Sequence, residues 1–258
     1  MVKSYYRYGK TPQTCGLITN EQGNILYDAY NVNQVYTCTL DSITCWNIKQ
    51  STVIFKLNVD TNHSTANTNT IITTRIIHHP TDSNIITAGY DDGTIRIWSI
   101  NTRTCINILR GHAGTITALC YSTDGSILCS GSTDTNIIIW DAITQSGMVK
   151  LIGHKQPITS ICVLQNDQHN SIMFTGSRDG TIKLWDLVTY HNIQTLTETN
   201  GTEVWALKLN SGGNRLIAAG SDKQVRVYKL YSRSAQSNQH IASQQVCVYI
   251  HFLHCTFS

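Results

Sequence analysis

Four segments of this 258-residue chain are near copies of one another and close on an aromatic residue at an almost fixed interval. They are Gly89–Trp98 (GYDDGTIRIW), Gly131–Trp140 (GSTDTNIIIW), Gly176–Trp185 (GSRDGTIKLW) and Gly220–Tyr228 (GSDKQVRVY). The aromatics at 98, 140, 185 and 228 lie 42, 45 and 43 residues apart. A period of that length means that one supersecondary unit recurs and that each copy covers its apolar face with its neighbours. The best-preserved copy runs from Gly111 to Ile152. Within it Ile116–Tyr121 alternates as a strand does, and Asp124-Gly125 makes a turn. Ile127–Ser130 is a second strand, Thr133–Asn136 a second turn and Ile137–Trp140 a third strand. Gln145-Ser146-Gly147 then turns into a fourth strand at Val149–Ile152. Four short antiparallel strands per repeat, joined by tight turns, make one blade of a β-propeller.

The Trp-Asp pairs at Trp140-Asp141 and Trp185-Asp186, with Gly-His at Gly111-His112 and Gly153-His154, give the repeat the form of a WD40 blade. The expected fold is therefore an all-β WD40 propeller. At roughly 40–45 residues per blade, the patterned region from Cys15 to Leu230 holds about five recognisable blades. Residues 1–230 are read as propeller and 231–258 as a non-repeat, disordered tail. The pattern decays toward both ends. Trp46 closes a first blade with core strand Ile43–Trp46, followed by Asn47 where Asp is usual. Between Trp46 and Trp98 the interval stretches to 52, and Thr61–Thr70 is polar and low in complexity, as expected of a surface loop. A polar insert at Gln165–Asn170 replaces a turn. In the last repeat Thr199-Asn200 stands in the Gly-His slot and Tyr228 replaces Trp. After Leu230 the period stops: Tyr231–Gln245 is rich in Ser and Gln, and Val246–Leu253 is apolar without a blade template. An unclosed ring leaves strand edges bare, so the chain is expected to be the front part of a longer protein. The expected endogenous product is well above 28.8 kDa.

His112, Ser130 and Asp134 have the composition of a nucleophilic triad, and His154, Thr175 and Asp179 repeat it one blade later. Repetition argues for structure, because an enzyme needs one active site whereas a structural device recurs with the fold. The two full sets are His112–Ser130–Asp134–Trp140 and His154–Thr175–Asp179–Trp185. They are expected to form buried hydrogen-bond chains within their blades. The other blades keep only Asp92 with Trp98, and Asp222 with Tyr228. Catalysis has no further support, since no phosphate loop, paired-carboxylate motif or nucleophile elbow is present. No cofactor and no small-molecule substrate is expected.

Nine cysteines form no C-x-x-C pair, and Cys105, Cys120, Cys129 and Cys162 sit in apolar runs, which reads as a reducing compartment. The sequons at Asn62 and Asn200 then carry little weight. No secretory signal opens the chain, and no apolar stretch approaches a membrane span, so no membrane partner is expected. Nineteen basic against sixteen acidic side chains give a net charge of +3, too mild to demand nucleic acid. Cys247, His251, His254 and Cys255 could be gathered on a helix as zinc donors, but their spacing matches no common zinc module. Cys255–Ser258 fits a loose prenylation box, with Thr and Phe in its aliphatic positions and no basic segment before it. The plainer reading of both is a tail without a site.

Four stretches narrow the family: Met1–Tyr8 (MVKSYYRY), Asp134–Asp141 (DTNIIIWD), Glu203–Leu207 (EVWAL) and Gly220–Leu230 (GSDKQVRVYKL). Over Met1–Leu230 the chain resembles the N-terminal propeller of the WD-repeat scaffold family of the small-subunit processome, WD-repeat protein three and DIP-two. That resemblance implies a non-catalytic scaffold in small-subunit ribosomal RNA processing and ribosome biogenesis, associated with the U3 small nucleolar ribonucleoprotein. It implies a nucleolar or nuclear location. It implies as partners other WD40 and helical subunits of a preribosomal complex, together with U3 snoRNA or pre-rRNA. Family members carry two tandem seven-bladed propellers and a helical C-terminal domain. This chain would supply only part of the first ring, and no individual binding residue transfers. The alternative is a general WD40 adaptor, such as a ubiquitin-ligase substrate receptor or signalling platform. The opening octapeptide favours the scaffold.

Overall fold

The computed structural model describes residues 23–28, 30–39, 42–59, 71–165, 171–197, 201–232 and 248–253. The opening octapeptide, the Thr61–Thr70 stretch, residues 166–170 of the polar insert, Thr199-Asn200 and the asparagines of both sequons lie outside them, as do Cys247 and residues 254–258. The described residues are all β, with no helix.

Twenty strands form five antiparallel four-stranded sheets, each built from consecutive strands. The first sheet holds β1 (Ile25–Tyr27), β2 (Gln34–Cys38), β3 (Ser42–Asn47) and β4 (Thr52–Asn58). The second holds β5 (Thr73–His78), β6 (Ile85–Tyr90), β7 (Ile95–Ser99) and β8 (Thr104–Leu109). In the third are β9 (Ile116–Tyr121), β10 (Ile127–Ser132), β11 (Ile137–Asp141) and β12 (Ser146–Leu151). In the fourth are β13 (Ile158–Gln165), β14 (Ser171–Ser177), β15 (Thr181–Asp186) and β16 (Asn192–Thr197). The fifth holds β17 (Val204–Leu209), β18 (Arg215–Gly220), β19 (Val225–Ser232) and β20 (Val248–Leu253). These are five WD40 propeller blades. Two strand segments lie past the boundary drawn at Leu230: β19 runs to Ser232, and β20 pairs with it from Val227↔Leu253 to Ser232↔Val248. The apolar run at 248–253 meets the open edge of β19 after a long excursion, which no short-range turn signal announces.

Turn chemistry repeats with the blade. The residue after each turn aspartate between strands two and three has positive φ: Gly93 (78°), Thr135 (69°), Gly180 (76°) and Lys223 (63°). The turn between strands three and four places a left-handed residue five positions after the aromatic, at Ser51, Arg103, Gln145 and Tyr190. A register shift falls at the tryptophan itself in each of these four blades. A left-handed residue followed by a bulge is a common way to close such a hairpin. The third blade's last strand accordingly starts at Ser146, three residues before Val149.

The core is a series of layers between neighbouring sheets rather than one central mass. Ile95, Ile97 and Leu109 of the second blade pack on Ile116, Leu119 and Trp140 of the third. Ile137, Ile139 and Leu151 then pack on Ile158, Ile161 and Trp185. Two features set this spacing. The first is a glycine in strand two that receives a branched side chain from the next blade's first strand. A Cβ at Gly89 would stand 2.4 Å from Ile116 Cγ2, and one at Gly131 would stand 2.5 Å from Ile158 Cγ2. The second is a threonine hydroxyl in the first strand. Thr74, Thr117 and Thr159 each donate to the next blade's first strand, at Ile116 O (2.5 Å), Ile158 O (2.5 Å) and Val204 O (2.6 Å). Their hydroxyls lie near the glycine carbonyls of their own blades, at 3.0–3.1 Å.

A Gly131→Ala substitution should overpack this contact and destabilise the chain by about 1–3 kcal/mol. Gly147→Ala, whose Cβ would meet only the Trp140 ring at 3.4 Å, should be close to neutral. Equal melting temperatures for the two variants would show that the glycine slot does not set blade spacing.

Candidate functional site

The turn aspartates have two jobs. One carboxylate oxygen caps the hairpin by accepting the N–H two residues on: Asp92 from Thr94 (2.9 Å), Asp134 from Asn136 (3.0 Å), Asp179 from Thr181 (2.9 Å) and Asp222 from Gln224 (3.1 Å). This local bond is why Asp suits a turn. The other oxygen reaches inward. Asp134 Oδ2 lies 3.0 Å from His112 Nδ1 and accepts the Ala113 N–H at 3.0 Å. His112 Nε2 lies 2.8 Å from Ser130 Oγ, and Trp140 Nε1 donates to the same Oγ at 2.8 Å. The next blade repeats this: His154 Nδ1 to Asp179 Oδ2 2.9 Å, His154 Nε2 to Thr175 Oγ1 2.8 Å, Trp185 Nε1 to Thr175 Oγ1 2.9 Å. Both imidazole side chains are fully buried.

The indole can only donate, so the hydroxyl accepts from it, and its own proton has the imidazole Nε2 at 2.8 Å and a strand carbonyl at 3.3–3.4 Å as acceptors. A neutral imidazole must carry its proton on Nδ1, because the ionised carboxylate beside that nitrogen can only accept. Burial lowers the His112 pKa, and the Asp134 hydrogen bond and charge only partly oppose it. Burial alone would raise Asp134, yet the N–H groups of Ala113 and Asn136 and the His112 bond hold it below the usual carboxylate range. The Asp179 carboxyl is held down similarly, by His154, Thr181 and the Lys155 N–H against burial.

These distances would suit a catalytic triad, but the chemistry does not. Ser130 and Thr175 are wholly buried. Their oxygens already accept an indole N–H inside the blade, and burial keeps a substrate carbonyl from reaching them. What the arrangement does is bind three strands and a loop of one blade through polar groups that would be costly to bury singly.

The other expected pairs are not brought together. Trp98 Nε1 donates to Tyr90 Oη at 3.0 Å, because Ala88 occupies the slot held by Ser130 in the third blade. Asp92 instead lies 3.6 Å from the Arg96 guanidinium, which also sits over the Tyr90 ring. In the fifth blade Asp222 pairs with Arg226, and Tyr228 is buried beside Ala218. An arginine two residues before the aromatic thus supplies the inward cation in both blades. The first blade carries a contact that sequence spacing misses: Trp46 Nε1 donates to Thr37 Oγ1 at 2.9 Å. The strand register makes Thr37 the counterpart of Ser130, but it stands one residue nearer its tryptophan. Asn47 does the work of the usual Asp, accepting the Lys49 and Gln50 N–H groups.

No group of three or more His, Cys, Asp or Glu side chains placed to hold a metal occurs among the described residues. Of the tail's candidate ligands only His251 falls in a described strand, and its side chain is not described. The six described cysteines form no disulfide with one another. Burial pushes the Cys38 thiol up to about 12 and Cys45 to about 11, so neither is a ready nucleophile. A second feature invisible in the repeat pattern is a cavity of about 290 Å³ among the first strands, lined by Arg75, Thr117, Thr159, Arg178 and Trp205.

Residues 33–230 match the family described as the WDR3 first beta-propeller domain. The chain belongs to that family. WD40 propellers of this kind are typically non-catalytic, in keeping with the occupied hydroxyls of Ser130 and Thr175. The WDR3-type propeller is also similar to the U3 small nucleolar RNA-associated protein 12 of Saccharomyces cerevisiae, 32% identical over 128 residues. That stretch is 46% of this chain and 14% of the yeast protein, so the chain spans only a small part of its relative.

Two outcomes follow from the tetrad of the WDR3-type propeller. His112→Ala should cost about 1–3 kcal/mol, because it strands the buried Ser130 and Asp134 groups, and an unchanged denaturation midpoint would dismiss the chain of bonds. Acid should act in a defined direction. Because folding lowers the His112 pKa, the unfolded chain takes up the proton first, and stability falls as pH drops below the ordinary histidine value of about 6.5. The Asp134 contribution is lost only further down, as pH falls through its lowered value. Melting temperature should therefore fall between about pH 7 and about pH 5. The fall should be shallower in His112→Ala, where His78, also lowered by burial beside Asp28, remains. Parallel pH profiles would count against the assignment.

Proposed function

We propose that this chain is a non-catalytic scaffold for protein–protein and protein–RNA assembly in small-subunit ribosomal RNA processing, acting with the U3 small nucleolar ribonucleoprotein in the nucleolus. Membership of the WDR3 first-propeller family over residues 33–230 carries this reading. The similarity to a yeast protein named for its association with U3 small nucleolar RNA supports it. The blade chemistry is compatible with scaffolding: each polar cluster that resembles machinery is turned inward and satisfied, leaving faces, loops and the inner channel for partners. The partners we propose are other WD40 and helical subunits of a preribosomal complex, and U3 snoRNA or pre-rRNA.

Immunoprecipitation of the epitope-tagged chain from cells, with sequencing of the bound RNA, tests the proposal. Enrichment of U3 and of the small-subunit rRNA precursor over a mock pull-down is the expected result. Background RNA with one protein partner recovered instead would overturn it and make the chain a general WD40 adaptor.

A further inference from the structure

The inner strands β5, β9, β13 and β17 surround the cavity of about 290 Å³. Two of its lining groups are guanidinium ions, and among the described residues no carboxylate lines it. Arg75 is partly buried in β5, and its Nε donates to the Thr117 carbonyl at 2.6 Å. That bond anchors the side chain while leaving the Nη groups without a hydrogen-bond or ion-pair partner among the described residues. Burial disfavours its charge and lowers its pKa, so an anion beside it would relieve a standing cost. Arg178 is exposed at the rim of the same cavity.

The third element is an aromatic ring. In the preceding blades the second residue of the inner strand is Thr117 or Thr159, which bonds to the next blade. In the fifth blade it is Trp205, 57% exposed, whereas the other four tryptophans are at most 9% exposed. Its Nε1 donates to Glu203 Oε2 at 2.8 Å. The indole's only polar hydrogen is thus spent, and the ring has its π faces left to offer.

A guanidinium pair with an open ring face fits a phosphate joined to a planar base. The Thr117 and Thr159 hydroxyls of the wall, whose protons go to Ile158 O and Val204 O, can only accept, which suits a ribose 2′-hydroxyl and leaves the phosphate to the guanidinium groups. Single-stranded RNA is bound through this combination: charge for the backbone and an aromatic face for a base. A cavity of this size is too narrow for a duplex. An acidic peptide would use the arginines but not the indole face. We propose that Arg75, Arg178 and Trp205 form a binding site for one phosphate and one base of single-stranded RNA at the cavity between the first strands of the blades. This deepens, and rests on, the RNA-processing role proposed above.

The test uses the purified 258-residue chain and a fluorescein-labelled oligouridylate, read by anisotropy and by intrinsic tryptophan fluorescence. Trp205 is the one exposed tryptophan, so with excitation selective for indole bound RNA should quench it preferentially. Trp205→Ala should remove that quenching and weaken binding on the order of 10-fold. Arg178→Gln should weaken binding several-fold and reduce the slope of log affinity against log salt by about 0.7, the value for one phosphate of a single strand. Arg75→Gln should act similarly, with its melting temperature measured because the Thr117 bond is lost with it. Lys49→Gln, in the first blade, should change nothing. Oligonucleotide binding that ignores Trp205→Ala and Arg178→Gln overturns the site, as does an absence of binding. Competition by polyglutamate together with loss of quenching would assign the channel to an acidic protein segment instead. If U3 is still recovered from cells while the purified chain fails, the site alone is wrong. If the purified chain binds as expected and U3 is not recovered, the processing role is wrong and the RNA site stands.

Discussion

The contact on which the rest of this architecture depends is the seating of one blade's first strand against the glycine of the blade before it. A four-stranded antiparallel sheet of five- or six-residue strands has little core of its own. Its stability comes from covering both faces, and the close approach at Gly89, Gly131 and Gly176 lets Ile116, Ile158 and Val204 enter the neighbouring sheet. The threonine hydroxyls of Thr74, Thr117 and Thr159 then fix the height of one strand against the next. Steric fit against strand two and a directional bond from strand one act on the same incoming strand, so a sheet that slipped by one residue would lose both. The arrangement stops at the fifth blade. There a Cβ on Gly220 would meet Glu203 O and Asp222 Oδ1 of its own blade, and the threonine position holds the exposed Trp205.

The histidine chains are a second, independent layer of order, acting within blades rather than between them. Their common part is the turn aspartate, which caps the hairpin in four blades whether or not a histidine faces it. What varies is the cation or donor presented to its second oxygen: neutral imidazole in the third and fourth blades, guanidinium in the second and fifth. Arg96 and Arg226 reach the carboxylate from the third strand, whereas His112 and His154 come from the loop before the first. The arginine version therefore ties the turn to its own strand, and a neighbouring side chain holds the segment before the first strand instead: Asp91 accepts the Ile72 N–H at 2.8 Å in the second blade, and Ser221 Oγ accepts the Glu203 N–H at 3.1 Å in the fifth.

Much of this was legible in the sequence because it repeats. The period of the aromatics and the recurrence of Gly, His, Asp and Trp gave four strands per unit and both complete tetrads, and the strand positions of the third blade differ from the sequence reading chiefly at β12. What repetition could not convey was substitution. Asp92 with Trp98 looked like the remnant of a tetrad, but with Ala88 in place of a hydroxyl the indole turns to Tyr90 and the carboxylate to Arg96. Thr37 was invisible because one residue is missing between it and Trp46, and only the strand register makes it the counterpart of Ser130. β20 was hidden for a different reason: a long excursion separates it from β19, so its pairing rests on an open edge and an apolar run rather than on any local signal. Left-handed residues such as Thr135 and Tyr190 are likewise set by the hairpin and not by their own preferences.

The channel lining follows the opposite logic from the blade interior, and that contrast bears on function. Inside the blades each position is answered by its equivalent in the next repeat, and departures are compensated locally, as Arg96 and Arg226 show. Along the channel the repeat offers threonine at one position, yet the chain places Trp205 there in the fifth blade. Arg75 in the second blade carries a charge for which no neighbouring carboxylate compensates. A residue that breaks the repeat without serving the packing costs stability: Trp205 leaves a large apolar ring 57% exposed to water, and Arg75 holds a charge partly buried where the equivalent positions carry Ala118, Ser160 and Ala206. Each makes one polar contact inside the fold, Arg75 Nε to Thr117 O and Trp205 Nε1 to Glu203 Oε2, and that contact leaves the guanidinium Nη groups and the indole faces unused. The partner for these is then to be sought outside the chain, at the cavity that both residues line.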